Sequence, residues 1–342
     1  MDRTPLTSTW LTKHELRTPR VILDAFQDYW NAERVPRLER VVFRNDLTKQ
    51  KALDLCLSTE GNVDIVTNVP PNQADRVQSS SFADLVRVKG NEIIAGVFNR
   101  FNIDVDFDSR QLRLAINLAV NRVKLVSEGF NGYADIVPAL TPPWAFDFPE
   151  GLEAIPHLPE EARRLFPESA WPKGRPLVLA TTTDYKKMTY LIADDLKKAL
   201  NIEVNVFIIP DNQRIEWMTI LAEKKLTPNW DILITSASAL FLEGTPAFFH
   251  REFFGKDGAL RASAIPPEFS RLYTRMTAQT EREQLLKAAE DIDRYVYNEV
   301  LALFLVSPES LYAVNKQVDF EPYRTTLEFA ETSVTNQHWS RM

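Results

Sequence analysis

Between residues 177 and 235 the hydrophobic period changes repeatedly, and this alternation limits the possible folds more than any other feature of the chain. Residues 177–180 are a short apolar run. Residues 187–200 place Met188, Leu191, Ile192, Leu196 and Leu200 at helical spacing, residues 203–209 read as a strand, residues 214–224 as a helix and residues 231–235 as an apolar strand. Parallel neighbours need a crossover of a dozen or more residues, and each intervening helix supplies one. The series predicts an α/β lobe built on a parallel sheet with right-handed connections.

A second α/β series precedes it. Residues 21–26, 41–44, 65–67 and 93–98 read as strands, and residues 49–57 as a helix between them. After the polar turn 102–106, Asp108 or Ser109 is placed to cap a helix whose Leu112, Ala115, Ile116, Ala119, Val120 and Val123 share one face. Residues 147–176 carry six prolines, Pro149, Pro156, Pro159, Pro167, Pro172 and Pro176, and predict an ordered loop with a short helix at 160–166. A last long helix, residues 281–298, aligns Leu285, Ala289, Ile292 and Val296, and residues 300–306 follow as a buried strand.

Composition removes several classes of function. The chain of 342 residues has 40 basic and 47 acidic side chains, a net charge of −7, and no basic stripe, so neither nucleic acid nor anionic membrane is an expected partner. No apolar run approaches the roughly 20 residues of a membrane helix, and no direct membrane insertion is expected. Residues 1–10 lack the basic and apolar regions of a secretory signal. Ten glycines form neither a G-x-G-x-x-G turn nor a phosphate loop. The four histidines are dispersed, so no metal and no cofactor are expected. Cys56, in an apolar helical pattern, reads as a buried thiol rather than a nucleophile. The pairs Asp194/Asp195 and Asp291/Asp293 do not share a helical face and read as solvated charges. No catalytic constellation is present, and an enzyme is not expected.

Binding is the remaining reading. Ligands in open α/β sheets lie beyond the carboxyl ends of the strands. That places Thr181, Thr182, Thr183 and Tyr185 after one strand and Ser236, Ser238, Phe241 and Glu243 after another. Asn99, Tyr133 and Trp144, around the capped helix and its proline-rich loop, complete the candidate ligand-binding set.

Taken in order, these segments resemble the peptide- and nickel-type (bacterial family 5) extracellular solute-binding proteins, the capture subunits of ABC importers. Phe98 and Asn99 match their strand end, Asp108, Arg110, Arg113, Ala115, Ala119 and Arg122 their helix, and Gly132, Ala134, Pro138 and Ala139 the loop beyond it. The resemblance implies a two-lobed, type II periplasmic-binding-protein-like fold. Lobe I would take residues 1–103 plus 303–342 and lobe II residues 104–302, with the chain passing between lobes near 99–106 and 301–306. It also implies hinge closure on a small solute, peptide-like or other, an ABC permease as partner, and a periplasmic or extracellular location. An alternative with the same fold is the solute-sensing module of a cytosolic regulator. Full-length relatives carry a long stretch before the strand matched by residues 21–26, so the resemblance covers their C-terminal part and implies an incomplete first lobe with a vacant sheet edge. In dipeptide-binding relatives an arginine grips the ligand carboxylate, in a loop that here reads Ala180, Thr181, Thr182, Thr183, Asp184, Tyr185, without one. The aspartate that grips the amine falls on Leu242, beside Glu243. Lys186 or Lys187, at the start of the next helix, is the alternative cation, but a lysine there is more often solvated; the expected ligand is a neutral or cationic solute, with Glu243 as charged contact and Tyr185, Trp144 and Phe241 as packing surfaces.

Overall fold

The computed structural model describes residues 20–342 except 27, 60, 91, 143, 167–170, 226–228, 239–246 and 323–328. The described strands are β1 (Arg20–Asp24), β2 (Arg40–Arg44), β3 (Ile65–Val66), β4 (Ala83–Lys89), β5 (Glu92–Phe98), β6 (Ala134–Ile136), β7 (Leu177–Thr182), β8 (Val204–Ile209), β9 (Ile232–Ser238), β10 (Ala302–Asn315), β11 (Val318–Asp319) and β12 (Ser333–Val334). The chain divides into two compact units, Met1–Val88 with Ser310–Met342, and Lys89–Glu309. The passages between units therefore fall at 88/89 and 309/310, earlier and later than the expected 99–106 and 301–306. The reason is that β5 and the first part of β10 are paired within the second unit instead of connecting two units.

In the second unit the expected parallel core is present. β7 pairs in parallel with β8, Leu177 opposite Val204 through Thr182 opposite Ile209, and on its other side with β9, Leu179 opposite Ile232. β5 lies antiparallel to β9, from Glu92 opposite Ser238 to Phe98 opposite Ile232, and antiparallel to β10 on its other edge. Ile93 through Phe98 are all buried, which explains why this strand reads as one apolar run without alternation. Gly96 is needed between those neighbours. A Cβ there would lie 2.8 Å from Leu303 Cβ and 2.9 Å from Ile232 Cγ2.

The capped helix is shorter than its pattern suggests. Ser109 Oγ accepts from the Leu112 amide at 3.4 Å, and the helix Arg110–Ala119 ends where Val120 turns extended. Asn121 then caps a new helical turn, Arg122–Lys124, that runs into the π-helical Leu125–Gly129. This restart rotates the following face, so Val123, expected in the core, is 68% exposed.

Two arginines of this segment are buried without a carboxylate partner. Arg113 donates four hydrogen bonds, to the carbonyls of Val300, Phe107, Asp108 and Glu299. Arg122 donates five, to the carbonyls of Phe304, Asn117, Val120 and Ile155 and to Asn117 Oδ1. Burial pushes both guanidinium groups down to about 10, so they remain charged at neutral pH. The carbonyls of Asn117 and Val120 belong to the helix C-terminus, where orphan acceptors and the helix dipole favour a cation. Arg113 in turn holds Val300, whose φ of 51° is strained for a β-branched residue, between the helix Arg282–Asn298 and β10.

The first unit is smaller. Its helix Lys49–Ser58, capped by Thr48, buries Cys56, as expected. β3 pairs with the Ala313–Val314 end of β10, and a small core gathers Tyr312, Val314 and Phe320. β1 and β2 form a two-stranded sheet of their own, on which Val21, Ile22, Leu23, Val42 and Phe43 are exposed. β10 runs on to Asn315, well past the expected end at residue 306, because its second part pairs in this unit.

The arginine bonds carry a measurable load. Arg122→Met is expected to lose about 3 kcal/mol in urea unfolding, because several carbonyls are left buried and unpaired. Val123→Ala, on the outside of the restarted turn, is expected to stay within about 0.5 kcal/mol of the wild type. Equal losses would mean that the helix continues through residue 123.

Candidate functional site

Since β7 and β9 are parallel and β5 is antiparallel to β9, the carboxyl ends of β7 and β9 meet the amino end of β5 at one edge of the sheet. The 3-10 turn Thr183–Tyr185 leaves β7 there and leads into the helix Lys186–Leu200. It carries Tyr185 over the strand ends. The Tyr185 hydroxyl hydrogen-bonds Glu92 Oε1 and lies 2.6 Å from Ser236 Oγ. A phenol has one proton, so it donates to the carboxylate and accepts from the serine. Burial, reinforced by the Glu92 charge, pushes the phenol well above its ordinary range and keeps it a neutral donor. Beside it, Ser307 Oγ donates to the Glu92 carbonyl at 2.8 Å.

Two more expected residues reach the same edge. Trp144 Nε1 donates to the Gly90 carbonyl at 2.7 Å, and the Tyr133 carbonyl accepts from the Glu309 amide at 3.0 Å. β6, which follows Tyr133, pairs with Val306 to Pro308 of β10. Gly90 permits the close approach, as a Cβ there would sit 2.0 Å from the Pro308 carbonyl oxygen.

The threonines part ways. Thr181 is buried with its hydroxyl donated to the Ile234 carbonyl at 3.0 Å, and Thr183 is exposed and donates to Asp211 at 2.9 Å. Thr182 is 8% exposed, its hydroxyl has no partner among the described residues, and it lines a cavity of about 300 Å³. Phe207, Trp217, Trp230, Leu233 and Thr235 line the same cavity, Phe207 stacking on Trp217 at 5.4 Å. Because neighbours along a strand point to opposite faces, Thr235 faces the cavity while Ser236 faces Tyr185.

Asn99 is not brought to this edge. It lies beyond the other end of β5, where its Nδ2 donates to the Trp230 carbonyl at 2.9 Å and its amide to the Asp231 carbonyl at 2.8 Å. A strand rises about 3.3 Å per residue, which puts Asn99 roughly 20 Å from Glu92. Its hydrogen-bonding groups hold the turn after β5. Phe241 and Glu243 lie outside the described residues, and Ser238 is described by its backbone only.

A buried ionisable group stands behind the Trp144 loop. Asp293, expected to be solvated, is 1% exposed, with Oδ1 at 2.8 Å from His250 Nε2, without hydrogen-bond geometry, and Oδ2 accepting from Thr141 at 2.7 Å. Asp195, also expected at the surface, is largely buried and accepts from Lys124 at 3.0 Å. Asp147 accepts from the Ala247 amide at 2.9 Å, and burial, with Asp293 adding to it, raises its carboxyl above the usual range. Among the described residues, no group of three or more histidine, cysteine, aspartate or glutamate side chains is arranged to hold a metal ion, and no helix is long and apolar enough to cross a membrane.

A raised carboxyl means that the folded state holds its proton more tightly than the unfolded chain, so stability from Asp147 is full below 3.8 and lost as pH rises through its folded value. Asp147→Asn, which keeps an acceptor for Ala247, is therefore expected to melt above the wild type at pH 7, with the gap closing as pH falls towards 3.8. Thermal melts across that range check it, and a constant gap would remove ionisation as the cause.

The sequence pattern of the bacterial extracellular solute-binding proteins, family 5 Middle, matches residues 13–258. The glutathione-binding protein GsiB of Salmonella paratyphi A is 28% identical over 164 residues, 46% of this chain and 30% of that protein. Heme-binding protein A of Haemophilus influenzae is 25% identical over 183 residues, 51% of this chain and 32% of that protein. The match thus spans about a third of the curated relatives' length. Among solved structures, NikA from Staphylococcus aureus in complex with Ni(L-His)2 superposes with a TM-score of 0.71 at 18% identity, covering 93% of this chain and 66% of that one. The oligopeptide-binding protein AppA from Bacillus subtilis, in complex with a nonapeptide, gives 0.70 at 17% identity over 93% and 64%. At these identities the likeness is one of fold: a type II, two-lobed periplasmic binding protein.

Proposed function

The chain belongs to the bacterial extracellular solute-binding proteins, family 5, and from that premise we propose that it is a non-enzymatic solute-binding component of an ABC importer, working outside the cytoplasmic membrane with a permease partner. The observation that carries the reading is the gathering of Tyr185, Ser236, Glu92 and Trp144 at the carboxyl ends of β7 and β9, the side of an open α/β sheet where ligands bind. Aromatic faces with a few fixed polar groups suit reversible capture, with no covalent step required of the protein. Hinge closure would bend the backbone at the two passages, 88/89 and 309/310.

The solute class follows from what the site lacks. A zwitterionic dipeptide needs a cation for its carboxylate, and residues 180–185 hold none. The nearby Arg214 is occupied by Asp184 at 3.0 Å. An unpaired ligand carboxylate in a closed site costs several kcal/mol, so neutral or cationic solutes are preferred. The glutathione, heme and peptides named for the relatives set the range of sizes to try.

Calorimetric titration of the chain with zwitterionic dipeptides, cationic peptides and uncharged solutes tests this. Neutral or cationic members are expected to bind at least tenfold tighter than the dipeptides, and Tyr185→Ala or Trp144→Ala to weaken them tenfold or more. Tight dipeptide binding that neither substitution alters would overturn the assignment of the site.

A further inference from the structure

We propose that Glu92 is the anionic anchor of this site and that the solute it selects carries a primary ammonium group. The inference rests on the solute-capture reading above and sharpens its ligand class. Glu92 is half-buried at the amino end of β5, on the edge where the parallel strands end. Its backbone is fixed by the ladder to β9 and by the Ser307 bond to its carbonyl, so the carboxylate is held in place. One carboxylate oxygen is engaged by Tyr185. The second has no partner among the described residues, and no lysine, arginine or histidine among them pairs with Glu92, although ion pairs occur throughout the rest of the chain. Among the described residues this half-buried carboxylate accepts a single neutral hydrogen bond, which leaves an oxygen for a ligand donor. A ligand ammonium with three donors fits that vacancy: it can bond the free oxygen and the Ser236 hydroxyl together. Trp144 Nε1 is held at the Gly90 carbonyl, two residues before Glu92 in the chain.

The geometry also explains why a tyrosine stands here. Its phenol, kept neutral by burial, orients the carboxylate without neutralising it, which a lysine or arginine in its place would do. The charge of Glu92 is thus left for the ligand.

The test is calorimetry on the 342-residue chain with two probes: tri-alanine amide, which carries a free α-ammonium and no carboxylate, and its N-acetylated form. The wild type is expected to bind the ammonium form at least tenfold tighter. Glu92→Gln should bring the two within twofold by weakening only the ammonium form, while Tyr185→Phe, which leaves the carboxylate, should preserve the preference. If Glu92→Gln does not fold, as judged by circular dichroism, Glu92→Asp serves instead and should cut the preference several-fold. Equal binding of both probes by the wild type, or a preference that survives Glu92→Gln, overturns the anchor and leaves solute capture standing. Failure of both probes to bind at all overturns the capture reading for peptides and the anchor with it.

Discussion

Two guanidinium groups, Arg113 and Arg122, bind backbone carbonyls in the interior of the second unit, and the geometry of that unit depends on them. Each is a buried charge whose hydrogen bonds go mainly to backbone carbonyls, with Asn117 Oδ1 as a further acceptor for Arg122. Carbonyl oxygens cannot be titrated or moved without moving the chain, so this solution ties helix, turn and strand together in one arrangement. Arg122 joins the end of the helix Arg110–Ala119 to Phe304 in β10 and to Ile155 in the proline-rich loop. Arg113 joins the start of the same helix to the Glu299–Val300 turn from which β10 departs. With that turn fixed, the register of β10 on β5 is fixed, and with it the place of Ser307 beside Glu92.

The two faces of the central sheet have separate chemistry. On one face Ser236 meets Tyr185 and Glu92 in a chain of hydrogen bonds. On the other, Thr182 and Thr235 border an aromatic-lined cavity whose buried hydroxyl has no partner among the described residues. Strand pleating alone separates them, since adjacent residues of β9 belong to different environments. A substitution at residue 235 and one at residue 236 therefore act on different parts of the protein, although they are neighbours in the chain.

Much of this was legible in the sequence, and what was not has identifiable causes. The parallel run of β7, β8 and β9 was readable because each element buries a face whose period is its own. The rule that places ligands beyond the strand ends pointed to Tyr185 and Ser236, which the structure brings together with Glu92. The helix break at Val120 was hidden because Asn121, a capping residue, also sits acceptably within a helix. Asp293 was misread because its burial depends on His250 and Thr141, which are distant in sequence. Asn99 sits next to the expected site in sequence and at the far end of a strand in space. Glu92 gave only a faint signal, a lone acid at the head of an apolar run, whose meaning depends on the antiparallel register with β9.

The pairing of β3 with the last part of β10 has a consequence for the order in which the protein is made. Residues 65–66 must wait for residues 313–314 before their ladder can close. Residues 89–309 form one contiguous unit, within which β5 to β9 find their strand partners. During synthesis those pairings can form while residues 65–66, made earlier, still lack the end of β10. Residues 65–66 are thus among the last of the described strands to be paired, and exposure to chaperones and to self-association is greatest for a strand that waits in this way.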